Sequence, residues 1–195
     1  MAEPPTRERI VAAAVALFAE QGYDATSVNQ VVQRAEVAKG AMYHHFAAKD
    51  DLLFEVYHEL IARQLQSMKA IRAKGLGAAD TLRALISDLV ATTAARAPEA
   101  KVFAREGHRL GDENQKRVRN ARREYHDSVT ELIRSAQARG EFSTVASPEM
   151  VTFTVFGVIN ELPVWYQPNG RKRPAEIAAE LSAFVLAALE PKGKQ

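Results

Sequence analysis

Cysteine is absent from all 195 residues of the chain. Disulfides, thiolate metal sites and cysteine nucleophiles are therefore excluded. Long apolar runs are absent too. Hydrophobic residues make up 47% of the chain, enough for a globular core. Yet no run approaches the roughly 20 residues needed to cross a bilayer. The opening Met1-Ala2-Glu3-Pro4-Pro5 has neither the basic end nor the apolar stretch of a secretory signal. A cytoplasmic location and no membrane partner are expected. His44, His45, His58, His108 and His126 are scattered without metal-ligand spacing. No phosphate loop or nucleophile elbow organises the serines, histidines and aspartates. No metal, cofactor or catalytic residue is expected, and repeats and low-complexity segments are lacking.

What is present is concentrated between Thr26 and Lys49, TSVNQVVQRAEVAKGAMYHHFAAK. The run reads as two short helices, Ser27 to Arg34 and Ala38 to His45, joined by the turn Ala35-Glu36-Val37. Thr26 or Ser27 supplies a hydroxyl N-cap. Val28, Val31 and Val32 recur at helical spacing and face inward, Val37 plugs the turn, and Met42 and Phe46 anchor the second helix. Lys39, Gly40, Ala41, Tyr43, His44 and His45 are left outside. Small residues at the head of a helix, followed by aromatic and basic ones, suit a recognition helix in a DNA major groove. Lys39 can donate to guanine or phosphate, and Tyr43 and the histidines can donate to phosphate oxygens. The cations of the first fifty residues, Arg7, Arg9, Arg34, Lys39 and Lys49, are outnumbered by Glu3, Glu8, Glu20, Asp24, Glu36 and Asp50. DNA affinity should accordingly be moderate and salt-sensitive.

These residues resemble the TetR family of bacterial transcriptional regulators. The matching run starts at Ile10, Ala13, Leu17, Phe18 and Gly22-Tyr23. It continues through Ala25-Thr26-Ser27-Val28 and Ala35-Glu36-Val37-Ala38-Lys39-Gly40. It closes with Met42-Tyr43-His44-His45-Phe46 and Lys49-Asp50-Asp51-Leu52-Leu53. The resemblance implies an all-α chain of about nine helices. Residues 1–47 would form a three-helix helix-turn-helix domain, and residues 48–195 a ligand-binding and dimerisation domain. The DNA contacts would be Thr26, Ser27, Lys39, Gly40, Ala41, Tyr43, His44, His45 and Lys49.

After an unstructured lead from Met1 to Pro5, the first helix starts at Thr6 and ends at Gly22. A long helix from Ala48 to about Ala73 is the lever between the two sites in that family. Lys74-Gly75-Leu76-Gly77 marks a boundary. Helices are expected from about Asp80 to Arg96 and from Glu99 to Leu110, the latter opened by Pro98. The helix from Glu113 to Arg139 mixes Lys116, Arg117, Arg119, Arg122 and Arg123 with Glu113, Glu124, Asp127 and Glu131. It reads as an exposed, salt-bridged helix. Ser147-Pro148-Glu149 is a helix start, so MVTFTVFGVI (150–159) is assigned to a helix despite its strand-like composition. The last helix, Pro174 to Leu189, has a wide apolar stripe.

The last two helices are expected to pair with their copies in a four-helix bundle. Phe153, Gly157, Ile177, Leu181, Phe184, Val185 and Ala188 would form this homodimer interface. A two-fold dimer reads a palindromic operator in double-stranded DNA, with half-sites roughly 34–36 Å apart. Val102 to Leu110 and Val164 to Gly170 are similar to the TetR subgroup that controls fatty-acid or sterol breakdown and is released by acyl-CoA thioesters. The ligand pocket would draw on Met68, Phe103, Arg105, Glu106, His108, Phe153, Phe156, Asn160, Trp165 and Tyr166. The expected function is a ligand-responsive repressor. A drug-sensing efflux regulator and an all-α acyl-CoA-processing enzyme are the alternatives.

Overall fold

The structure is a computed structural model that describes residues 4–191. Of the expected unstructured lead, residues 1–3 lie outside that range, and Pro4 and Pro5 precede the first helix. Among the described residues every regular element is helical. They are α1 (Thr6–Gln21), α2 (Val28–Arg34), α3 (Lys39–His45), α4 (Lys49–Arg72), α5 (Ala78–Ala95), α6 (Ala97–Glu106), a 3-10 turn (Gly107–Arg109), α7 (Asp112–Ala138), α8 (Pro148–Asn160), α9 (Leu162–Trp165) and α10 (Pro174–Leu189). The all-α expectation holds, with the four-residue α9 and the 3-10 turn added to the nine expected helices.

The ends of these helices follow from their sequences. Ser27 accepts a hydrogen bond from the Gln30 amide at 3.2 Å, and the Gln30 side chain accepts from the Ser27 amide at 2.7 Å, a complete capping box on α2. Gly22, Gly75 and Gly140 take positive φ where α1, α4 and α7 end. The strand-like run of α8 is helical because Ser147 caps it, accepting from the Met150 amide at 3.2 Å. Its threonines turn back into the helix: Thr152 donates to the Pro148 carbonyl at 2.8 Å and Thr154 to that of Met150 at 2.9 Å. The helix expected from Glu99 to Leu110 instead tightens into the 3-10 turn after Glu106. There the Phe103 ring lies 2.8 Å from where a Cβ on Gly107 would stand, so any larger residue would push that ring aside.

Two compact units result. The first holds Met1–Ile61 and Arg96–Asn120, the second Ala62–Ala95 and Ala121–Gln195. The motif-based division at 47/48 and the packing division are thus different cuts. α4 and α7 each contribute to both units, and α6 with the 3-10 turn packs with the N-terminal helices. The core of the first unit gathers Ile10, Ala14, Phe18, Val31, Met42, Phe46, Leu52, Leu53 and Val56 with Val102, Leu110 and Val118. The second unit is built on α5 and α10, with Leu82, Leu85, Ile86, Leu89, Tyr125, Ile133, Val155, Leu162, Val185 and Leu189 at its centre.

Candidate functional site

α3 is held by its one buried residue, Met42, and by Phe46 immediately after it. That orientation leaves Lys39, Gly40, His44 and His45 exposed, Tyr43 half-exposed at 50%, and Ala41 partly covered. A Cβ on Gly40 would meet nothing within 4 Å, so the glycine thins the outer face without serving the fold. The rings of His44 and His45 stand edge to face, 5.1 Å apart. This is a short helix that offers one ammonium, one phenol and two imidazoles on a narrow ridge. Such a ridge can enter a major groove.

Two of the expected contacts are employed otherwise. The Thr26 side chain is buried at 1% exposure; its hydroxyl donates to the Gly22 carbonyl at 2.7 Å and accepts from Gln21 at 3.1 Å. It closes the α1–α2 loop and has no surface left for a phosphate. Lys49 Nζ donates to the carbonyls of Tyr23 and Thr26, both at 2.9 Å, and lies 4.1 Å from the Tyr23 ring centre. Its ammonium is committed to the same loop. Ser27 is exposed, with its oxygen occupied by the α2 cap.

The acidic balance of the N-terminal region is largely internal. Arg34 pairs with Glu20 at 2.7 Å, and Arg7 bridges Glu55 at 2.5 Å and Glu59 at 3.0 Å. These pairs tie α1 to α2 and to the first half of α4. Asp50 accepts from the Gly111 amide at 3.0 Å and from Asn114 at 2.7 Å, fastening the head of α4 to the start of α7.

The ten residues expected to line a ligand pocket divide between the units. Phe103, Arg105, Glu106 and His108 belong to the first. There Phe103 stacks on Tyr57 with ring centres 3.5 Å apart. Arg105 donates to the Phe18 carbonyl and, at 2.8 Å, to the buried Glu106. Arg109 pairs with Asp24 at 2.5 Å. His108 is exposed, and its carbonyl accepts from Gln115 at 3.2 Å. This cluster fastens α6 to α1, so Arg105 and Glu106 are already satisfied within the chain. The other six residues belong to the second unit. Met68 and Phe156 are buried in its core, Tyr166 is partly covered, and Phe153, Asn160 and Trp165 are exposed.

An open groove of about 540 Å³ does run between α7 and α8 of the second unit. Phe153 is the one expected pocket residue that lines it. The others include Arg123, His126, Thr130, Arg134 and Thr152. The spacing of Arg123, His126, Thr130 and Arg134 by three or four along α7 was visible in the sequence, but their α8 partner was not. On its floor Thr130 donates to Thr152 at 3.0 Å. On one wall His126 stacks on Phe156 at 3.9 Å. Arg134 is spent on Glu131 at 2.6 Å and Glu149 at 2.7 Å, and Lys69 pairs with Glu124 at 3.0 Å. The expected bridges along α7 are thus made only in part. Glu124 and Glu131 are paired, but with Lys69 and Arg134. Arg117 donates to Asn114 at 3.2 Å and lies over the Phe54 ring, and Arg119 donates to Gln115 at 3.3 Å.

Burial, with Arg122 alongside, holds the His126 imidazole below its usual range. The neutral form is the one the fold accepts, so stability should be undiminished above about pH 6.5, the free imidazole value. It should decline as pH falls below that value toward the depressed folded one. Thermal unfolding of wild type and His126→Phe between pH 7.5 and 5 checks this, with a flatter profile expected in the variant.

The dimer expectation also needs revision in detail. Ile177, Leu181 and Val185 are buried in the chain's own core at 7%, 8% and 3% exposure. The wide stripe of α10 serves two faces: Val185 is on the inner one, while Ile177 and Leu181, though buried, also line the open groove beside Phe184. Phe184 at 68%, Phe153 at 63%, Gly157 and Ala188 face outward. Beside them Met150, Val158, Val164 and Trp165 are exposed as well.

Comparison with known proteins places this geometry. Residues 10–56 match the family described as bacterial regulatory proteins, tetR family. Residues 75–189 match the tetracyclin repressor-like C-terminal domain. The HTH-type transcriptional repressor KstR2 of Rhodococcus jostii is 23% identical over 181 residues, covering 92% of this chain and 89% of that protein. The structure of the ketosteroid transcriptional regulator KstR2 of Mycobacterium tuberculosis superposes with a TM-score of 0.86 at 18% identity, covering 98% of each chain. AibR, solved in complex with isovaleryl coenzyme A and operator DNA, superposes with a TM-score of 0.79 at 21% identity, covering 92% of this chain and 97% of that one. The chain belongs to the TetR family of bacterial regulatory proteins.

Proposed function

We propose that the chain is a ligand-responsive transcriptional repressor that binds a palindromic operator as a homodimer and is released by an acyl-CoA thioester. The observation that carries the DNA half is the outer ridge of α3. Lys39, Gly40, Tyr43 and His44 stand free of the fold while Met42 and Phe46 hold the helix from beneath. The effector half is supported by AibR, whose structure contains both isovaleryl coenzyme A and operator DNA. The KstR2 name on relatives of nearly full length supports repression.

Within this reading a thioester that favours one arrangement of the second unit shifts the population away from the DNA-competent form. Coupling of about 1–3 kcal/mol would loosen operator binding some 5- to 150-fold. The chain passes between the two units at three places, in α4 at 61/62, at the α5–α6 junction at 95/96 and in α7 at 120/121.

The test is fluorescence anisotropy on DNA from upstream of the gene, with and without a long-chain acyl-CoA. Palindrome-dependent binding that the thioester abolishes supports both halves. Binding indifferent to every acyl-CoA removes the effector and keeps the repressor. Tyr43→Phe and Lys39→Ala should each weaken binding by about 1 kcal/mol per half-site, roughly thirtyfold over the two half-sites, without altering dimerisation. A smaller salt slope in Lys39→Ala would identify a phosphate contact. Unchanged affinity in both variants would remove α3 from the interface.

A further inference from the structure

The turn between α2 and α3 has an unusual occupant. α2 ends in a complete Schellman arrangement: the Val37 amide donates to the Val32 carbonyl at 3.2 Å, and the Glu36 amide to that of Gln33 at 3.2 Å. The residue at the left-handed position of such a motif is usually glycine. Here it is Glu36, with φ of 52°, the one non-glycine residue with positive φ among those described. A side chain in that conformation crowds its own carbonyl, so the turn needs an outside contribution to stay closed.

Arg9 supplies one from α1. Its guanidinium donates to the Ala35 carbonyl from Nε at 3.1 Å and from Nη2 at 2.7 Å, and from Nη2 to the Glu36 carbonyl at 2.9 Å. The Glu36 carboxylate lies 3.9 Å from the same Nη2. One planar fork therefore reaches both carbonyls at the end of α2, where the helix dipole also favours a cation. The Arg9 side chain is only 23% exposed, so these bonds are partly shielded from water.

We propose that Arg9 is a positioning residue for DNA reading: its guanidinium clasps the Ala35 and Glu36 carbonyls, holds Glu36 left-handed, and so fixes the angle at which α3 leaves α2. The clasp requires arginine, because a lysine ammonium offers a single point of attachment and no fork. The inference rests on α3 being the recognition helix, and its test separates the two claims.

Wild type, Arg9→Ala, Arg9→Lys, Glu36→Gly and the double variant Arg9→Ala/Glu36→Gly are compared in two ways. The first is anisotropy on the upstream DNA fragment. Arg9→Ala and Arg9→Lys are expected to lose about tenfold in affinity with unchanged helix content and oligomeric state. The double variant should recover most of the loss, since glycine holds the left-handed turn unaided. The second is amide hydrogen exchange without DNA. Exchange at Val37 and along α3 should quicken in Arg9→Ala and return in the double variant, with α1 unchanged. An Arg9→Ala protein equal to wild type in affinity and exchange overturns the clasp. A double variant no better than Arg9→Ala also overturns it, because Arg9 would then act directly on DNA. If wild type ignores the fragment, the operator reading fails on its own, and the exchange comparison still decides the clasp.

Discussion

Phe184→Glu is expected to turn a dimer into a folded monomer at micromolar concentration and to lower operator affinity more than a hundredfold. Phe184 is 68% exposed on α10, and it lines a shallow groove of about 290 Å³ with Val158 and Trp165. Phe153 and Met150 extend the exposed apolar surface along α8. A patch of this kind marks an interaction surface. The occupant proposed is a second copy, whose two-fold symmetry places every substitution in the interface twice. Burying one phenylalanine stabilises by about 1.5–3 kcal/mol, so two lost side chains remove roughly 3–6 kcal/mol before two carboxylates are desolvated. That alone raises the dimer dissociation constant by some two to four orders of magnitude. The chain itself should tolerate the change, because the core side of α10 is carried by Ile177, Leu181, Val185 and Leu189. Sedimentation velocity measures the outcome, with Phe184→Leu as the control that stays dimeric. A glutamate variant that remained dimeric would remove this face from the assembly.

The same helix shows how far sequence carries the structure. Its bounds follow from the pattern, since Pro174 opens it and the apolar stripe ends at Leu189. Which half of the stripe faces inward does not, because an apolar residue reads alike against its own core or a partner. The capping chemistry of α2 and α8 is local: Ser147 was legible as a cap, and Ser27 was one of two candidates, with Thr26, for the other. Lys49 sits at a motif position and invites a phosphate, but two carbonyls 23 and 26 residues away take its ammonium. Arg105 and Glu106 looked like free polar groups for a ligand. They are used in fastening α6 to Phe18, 87 residues earlier in the chain. That pairing also draws α6 into the N-terminal unit, and no feature of its composition announces it. Helices and caps are written in neighbouring residues; the polar partners of a site depend on contacts between distant ones.

Met42→Ala should lower operator affinity tens-fold or more while leaving the second unit intact. α3 has seven residues, fewer than two full turns, and helices below about 12–15 residues are marginal by themselves. Its N-cap is Ala38, which offers no side-chain hydrogen bond. Docking therefore rests on Met42, fully buried, and on Phe46, 4% exposed just beyond the last turn. Truncating a buried methionine to alanine costs about 2–5 kcal/mol. Most of that cost falls on the docked state of α3, since no other side chain of the helix is buried. Operator affinity then falls by the factor by which the docked population falls, tens-fold or more if docking was only a few kcal/mol stable. Met42→Leu preserves volume and should cost less than about 1.5 kcal/mol. Hydrogen exchange separates this local effect from global unfolding. Amides of α3 should exchange faster in the alanine variant, and those of α5 and α10, in the other core, should not change. Equal acceleration throughout the chain would mean that α3 melts only with the whole protein. An alanine variant with wild-type affinity would mean that Phe46 alone suffices to hold the reading face in place.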